Sequence, residues 1–419
     1  MDVLPNANLN VYVHTDGHLY RHAFTDQHSD SHRDGFTDRN RHSDRHPNLH
    51  GNGDRDGHAH HASPSLNRRM AEIIPFLKSL LSTAGLSGHE SPAAALIESR
   101  WKTIADETHR TRLGSVHALS AGDGYPPRPT LLISAHMDAI GMMVAGVNDG
   151  FLTLTPIGSV DPRILPSQSV IVHGRQTLHG IIVPLPAAFR ANPKEAITFD
   201  DLRVDVGLPP KRLAQLVQAG DIVSFATEPL ELLGGTISGH SLDNRASIAA
   251  LTLALEDLQL KRHAWDVWFA ATVQEEVSYA GGGTSAFALR PDLAVIVDVT
   301  FGEDAGGKNH ETFPLGKGPT LGVGPTVHPF LLKTFKELAG KLNLPFAVEP
   351  MPEDSFTETD LIQLTRAGIP TAIISIPLRY MHTPVEVASL ADIEQTGKLL
   401  CEFAAMLERD FLQKVIWDD

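Results

Sequence analysis

Five separated segments carry the side chains that could do chemistry, and each follows a short apolar run. They are His136 in LLISAHMDAIG, Asp243 in GHSLDNR, Glu275 and Glu276 in FAATVQEE, Asp298 in LAVIVDVT, and His382 in YMHTP. Together they offer two imidazoles and four carboxylates. That is the ligand inventory of a two-metal hydrolytic centre with one carboxylate left over as a base. Zinc takes imidazole nitrogen and carboxylate oxygen, and its catalytic sites keep a position open for water. Two metals a few Å apart can clamp both the attacking and the leaving group of a hydrolysis. Singly, each residue has a plainer role: a satisfied histidine, a solvated Glu pair, an Asp that caps a helix or forms a turn. Their joint appearance at the ends of apolar runs, beside Gly-rich segments taken as turns, argues for one shared site.

Those runs predict the elements that must position the residues. TLLISA, WDVWFAATV and LAVIVDV are near-continuous apolar stretches of strand length, and TAIISIPL leads towards His382. Such strands suit a parallel-type sheet covered on both faces. Helical patterns alternate with them: AEIIPFLKSLLSTAG, ASIAALTLALEDLQL, FLLKTFKELAGKL and LADIEQTGKLLCEFAAMLERDFL. The alternation predicts an α/β fold, a sheet flanked by helices. Ligands in open α/β sheets bind outside the carboxyl ends of the strands. His136, Glu275, Glu276 and Asp298 all fall at such ends.

The motifs SAHMDAIGMMV, GHSLDNRA, TVQEEVSYAGG, VDVT, LGKGP and ISIPLRYMHTPVEV resemble those of the glutamyl aminopeptidase family of dinuclear metallo-aminopeptidases, the self-compartmentalising tetrahedral (TET) group. The resemblance covers residues 70 to 410 approximately, with every metal-binding motif in order. Some family members carry an endoglucanase label; the motifs here are peptidase motifs. The resemblance implies a zinc-exopeptidase-like mixed sheet and a role for each residue. Asp243 would bridge two divalent metals. His136 and Asp298 would complete one site, and Glu276 and His382 the other. Glu275 would be the general base that takes a proton from the attacking water and delivers it to the leaving amine. Asp138 would orient a metal-bound His. The peptide after Asp243 would be cis. By residue type alone the roles of Glu275 and Glu276 are exchangeable. Adjacent residues of an extended chain face opposite ways, so in regular geometry only one is a direct ligand. Zinc is the expected metal, and cobalt or manganese suits the same ligands.

The chain's 419 residues suffice for two domains and a sizeable core. The division expected is a His- and Asp-rich tail at 1–65, a first catalytic part at 66–139, an insertion at 140–235 and a second catalytic part at 236–419. The tail holds about half of the 22 histidines and too few apolar residues to bury a core, so it is expected to be disordered. It reads as a translated upstream stretch, Met70 being a plausible natural start, with loose metal loading as the rival role. The insertion's short segments FLTLTPI, SQSVIVHG, LHGIIVPL and DIVSFATE read as a small β-barrel-like unit, with PPKRLAQLVQAG its lone helix. By resemblance it is a dimerisation domain, from which dimers would build a dodecameric shell. Its strands are too short for a large core of their own, so a partner surface is expected to cover it.

A net charge of −15 argues against nucleic acid or anionic membrane as partners. One cysteine, Cys401, permits no intrachain disulfide. With no secretory signal and no membrane-length apolar stretch, a cytoplasmic location is expected. GEDAGGKN at Gly302–Asn309 has P-loop spacing up to its Lys. However, Asn309 stands where Ser or Thr would hold magnesium, and no helix pattern follows. No GxSxG elbow is present. The reading is a metallo-aminopeptidase acting on short peptides. The alternatives are a deacylase or carboxypeptidase on the same metal core, and a non-enzymatic scaffold, against which the full residue set speaks.

Overall fold

A computed structural model describes residues 64–306 and 311–417. The tail and the distal part of GEDAGGKN therefore lie outside the described residues. Helices α1 (Pro64–Leu81) and α2 (Ser91–Trp101) lead into strands β1 (Glu107–Arg110), β2 (Val116–Ser120) and β3 (Thr130–His136). The chain then builds β4 (Gly141–Asn148), β5 (Phe151–Ile157), β6 (Ser169–His173), β7 (Thr177–Pro184), β8 (Leu202–Asp205), α3 (Pro210–Leu216) and β9 (Ile222–Phe225). These six strands close into a barrel in the order β4-β5-β8-β7-β6-β9. Two of its strands, GMMVAGVN and LRVD, are absent from the sequence reading. The first hides inside the motif that follows His136; the second is four residues long.

Closure also corrects one expectation. The barrel encloses an apolar interior of its own, including Met142, Val144, Leu152, Val170, Val172, Ile182, Val204 and Val223. Short strands suffice because a barrel shares one interior among all of them.

After the barrel come β10 (Leu230–Leu232), β11 (Thr236–Gly239), α4 (Leu242–Leu258), β12 (Asp266–Thr272), α5 (Glu275–Ser278), α6 (Ala280–Leu289) and β13 (Leu293–Phe301). Then follow β14 (Thr320–Val323), α7 (Pro329–Leu342), β15 (Ala347–Pro350), α8 (Thr359–Gln363), β16 (Thr371–Arg379), β17 (Glu386–Ser389) and α9 (Leu390–Met406). The second sheet is mixed. Its order is β1-β2-β12-β3-β13-β16-β17-β11-β10, with β14 and β15 attached beside β16. The four central strands, β12, β3, β13 and β16, run parallel; the flanking pairs are antiparallel. Strand β10 pairs with β11, so the chain has already rejoined this sheet by Leu230.

The parallel strands are buried on both faces, as their continuous apolar runs demand. Leu131, Ile133, Val267, Phe269, Val295 and Val297 pack with residues of α4, α7 and α9. Leu132, Ala270, Ala294 and Ile296 form the opposite layer with Ala286 of α6 and Ile362 of α8. This second face turns polar towards the carboxyl ends, through Ser134, His136, Thr272, Asp298 and Thr300. The Gly-rich stretch expected as a turn is instead the start of α6. A Cβ at Gly281 would stand 2.3 Å from the Val273 carbonyl oxygen, so glycine lets this helix begin against the end of β12.

Candidate metal centre

Parallel register brings the predicted residues together. Thr272 of β12 lies opposite His136, the last residue of β3. On the other side, Leu293–Ile296 of β13 pair with Leu131–Ser134, which puts Asp298 beside the same strand end. Asp243 enters from the start of α4. It and Asn244 depart from helical dihedrals, and the Asp243–Asn244 peptide is cis. Two bonds stitch this turn to β13: Asn244 Nδ2 donates to the Val297 carbonyl at 2.9 Å, and Ser247 Oγ to the Asp298 carbonyl at 3.2 Å. Glu275 and Glu276 open α5 after Gln274, which sits at φ 60°. His382 occupies the loop before β17, also left-handed at φ 61°.

The six ligand-type side chains converge. Nε2 of His136 is 3.1 Å from Asp243 Oδ1 and 3.8 Å from both Glu275 Oε2 and Asp298 Oδ1. Nε2 of His382 is 3.2 Å from Asp243 Oδ2 and 3.4 Å from Glu276 Oε2. The two oxygens of Asp243 thus face two different imidazoles. By mutual distance, ligand atoms of His136, Glu275 and Asp298 all lie within 4.8 Å of one another, as do those of His136, Asp243 and Glu276. Proximity alone therefore sets Glu275 with Asp298. The contacts of His382 group it with Asp243 and Glu276.

Two buried carboxylates hold this arrangement by its backbone. Asp138 accepts the N–H of Glu275 at 3.0 Å and of Glu276 at 3.2 Å, and the hydroxyl of Ser87 at 2.6 Å. Its Oδ1 lies 3.4 Å from Nδ1 of His136, whose better partner is the Asp138 carbonyl at 3.2 Å. Both contacts favour a proton on Nδ1 and leave Nε2 free for a cation. Glu386 plays the matching part on the other side. It accepts the N–H of Asp243 at 3.2 Å and of His382 at 3.0 Å. Sequence reasoning quoted Glu386 inside a motif and gave it no role; its spacing, four residues after His382, was the available signal. Arg245 was missed as well. It is fully buried, and its guanidinium is occupied by the carbonyls of Leu80, Thr83 and Met137.

Burial and mutual repulsion dominate the electrostatics of the cluster. Burial, with Asp298 and Asp243 nearby, pushes Glu275 well above the carboxylate range although His136 opposes it. Burial and Asp243 do the same to Glu276. Asp298 is pushed up to about 8, by burial first and Asp243 next. Burial would also raise Asp243, but its bonds to His136 and His382 outweigh that and hold it below its usual value. Burial would lower His136, yet Glu275, Asp138, Asp243 and Asp298 together raise it well above an ordinary histidine. So many buried carboxylates without matching cationic side chains are costly. Glu276 Oε1 is buried without a hydrogen-bond partner. Bound divalent cations would relieve both conditions, and the nitrogen and oxygen donors fit zinc, cobalt or manganese.

In the P-loop candidate, no helix occurs among the described residues that follow, 311–319. No helix among the described residues is long and apolar enough to cross a membrane.

The sequence and the fold are similar to those of known proteins. Residues 114–399 match the sequence profile of the family described as M42 glutamyl aminopeptidase. The chain is 34% identical to lysyl aminopeptidase from Pyrococcus furiosus, over 77% of its own length and 94% of the relative's. Its fold is similar to a TET aminopeptidase from a marine sediment archaeon of the Thaumarchaeota, with TM-score 0.78 and 28% identity over 83% of this chain and 99% of that one. It is similar also to a TET peptidase from Pyrococcus horikoshii, described as assembling into a tetrahedron or a large octahedral shell. There the TM-score is 0.69, with 27% identity over 80% of this chain and all of that one.

Proposed function

The chain belongs to the M42 glutamyl aminopeptidase family, peptidases that depend on metal, and on that premise we propose a two-metal aminopeptidase that removes N-terminal residues from short peptides. One observation carries the two-metal reading: Asp243 presents Oδ1 to His136 and Oδ2 to His382, each at just over 3 Å. A carboxylate facing two imidazoles through separate oxygens is placed to serve two cations. His136 and Asp298 would then hold one ion, and Glu276 and His382 the other. Divalent cations bound there supply Lewis acidity, acidifying water and polarising the scissile carbonyl.

The remaining steps belong to the chain. Asp138 holds His136 by its ring and fixes the backbone of both glutamates. Glu275 keeps its carboxyl 3.8 Å from His136, and burial raises it above the ordinary carboxylate range; its place beside the ligand cluster suits it to proton transfer. It takes the proton of the attacking water and delivers it to the leaving amine. A peptide with a free amino terminus and its acetylated counterpart distinguish this reading from a deacylase or a carboxypeptidase. Release of the N-terminal amino acid from the free peptide alone is expected. Cleavage of the acetylated peptide, or release from the carboxyl end, would overturn it.

We infer further that the protein self-associates, with the barrel as the dimerising unit. The support is the shell assembly of the P. horikoshii relative and the exposure of Phe151, Ile181 and Phe189 on the barrel segment.

A further inference from the structure

Glu358 is a fully buried carboxylate with no part in the centre as described so far. It stands immediately before α8, whose first turn begins on its carbonyl through the N–H of Ile362 at 3.0 Å. Its side chain reaches the polar end of the sheet. Ser134 Oγ donates to Oε1, and Thr272 Oγ1 donates to Oε2 at 2.7 Å. Both hydroxyls are tied to His136. Ser134 precedes it by two residues on β3 and so shares its face; Thr272 is its register partner on β12. The charge of Glu358 also acts on Asp298, and His136 in turn acts on Glu358. This carboxylate therefore stands behind the pair His136 and Asp298.

Space has been made for it. A Cβ at Gly282 would lie 2.6 Å from Glu358 Oε2 and 2.8 Å from its Cβ. Only a residue without a side chain lets α6 pass there. As a packing element a buried carboxylate is poor, because desolvation costs several kcal/mol even after relaxation. The neighbouring layer of Leu132, Ala270, Ile296 and Ile362 shows that an apolar side chain would suit the surroundings. The other two supporting carboxylates act by other routes: Asp138 holds the backbone of Glu275 and Glu276 and meets the His136 ring at Nδ1, and Glu386 holds Asp243 and His382, whereas Glu358 joins the strand ends.

We propose that Glu358 is a positioning residue for one of the two cations: by joining Ser134 and Thr272 it fixes the strand ends behind His136 and sets the affinity of the His136–Asp298 half alone. This rests on the two-metal reading above. The test is a titration of metal-free protein with Co(II), followed by calorimetry and by the visible absorption of the bound ion. The native protein should show two binding steps. In Glu358→Gln one step should weaken about 10–100-fold, the range expected on losing an outer partner of a ligand. The weakened step should be the one that His136→Ala abolishes, and the other should stay at its native affinity. Ser134→Ala and Thr272→Val should each weaken the same step by less, which keeps the test decisive if Glu358→Gln fails to fold. Two native steps in these variants, or an equal fall in both, would overturn the inference alone. A native protein with a single step would overturn the two-metal reading and this inference with it.

Discussion

At the scale of single residues, adjacent glutamates face different partners, which is the ground for the different roles proposed for them. Glu276 Oε2 meets His382 and its Oε1 is left without a hydrogen-bond partner, whereas Glu275 faces His136. Glu275→Gln should keep both metals and lose turnover by about 10²–10⁴-fold, the usual contribution of a positioned proton acceptor. Elemental analysis beside the rate decides it: a variant that loses a metal would make Glu275 the ligand and exchange the two roles. Asp243→Ala should retain less metal than His136→Ala, because one carboxylate faces two imidazoles while His136 serves a single half. Equal metal content in the two variants would remove the bridging assignment.

At the scale of elements, backbone bonds to buried carboxylates join the strand ends in holding the candidate centre. Glu386, at the start of β17, ties the beginning of α4 to the loop that carries His382. Burial pushes its carboxyl well above the usual range, Asp243 adding to the effect, although the backbone N–H groups oppose it. In Glu386→Gln the amide nitrogen must face one of the two N–H donors, leaving that donor unsatisfied. The expected loss is about 1–3 kcal/mol of stability. Calorimetric melting of metal-free native and variant proteins reads it without interference from ligand binding. An unchanged melting temperature would show that Glu386 is not structural in this way.

At the scale of the whole molecule, a closed barrel with its own interior interrupts a mixed α/β sheet between His136 and Asp243. Because the barrel already has a core, the association proposed above would rest on its outer surface. Ile181→Lys combined with Phe189→Asp should therefore dissociate a homo-oligomer without unfolding the barrel. Light scattering of both proteins at the same concentration measures this. A native protein that is already a monomer and fully active on peptides would refute the assembly while leaving the metal chemistry intact.

The sequence alone determined the parallel strands, since TLLISA, WDVWFAATV and LAVIVDV are buried on both faces and cannot hide their apolar character. It also singled out the six ligand-type residues: His136, Glu275, Glu276 and Asp298 stand at or just beyond the ends of such runs, His382 lies in the loop after β16, and Asp243 at the start of α4. Other elements were illegible for local reasons. Strands β1, β8 and β14 are four residues long, too short for a periodic signal. Helix α6 begins AGGG, whose helix propensity is poor, and forms because glycine alone fits against β12 and Glu358. Barrel closure depends on strand pairings far apart in sequence, such as β4 with β9. Asp138 was expected from the family resemblance to orient a metal-bound His, but its bonds to the backbone of Glu275 and Glu276, like the bonds of Glu386 and Glu358, are visible only in three dimensions. Each is a carboxylate among 50 acidic residues until the fold buries it against particular donors, and burial is what makes a hydrogen bond to a carboxylate worth keeping.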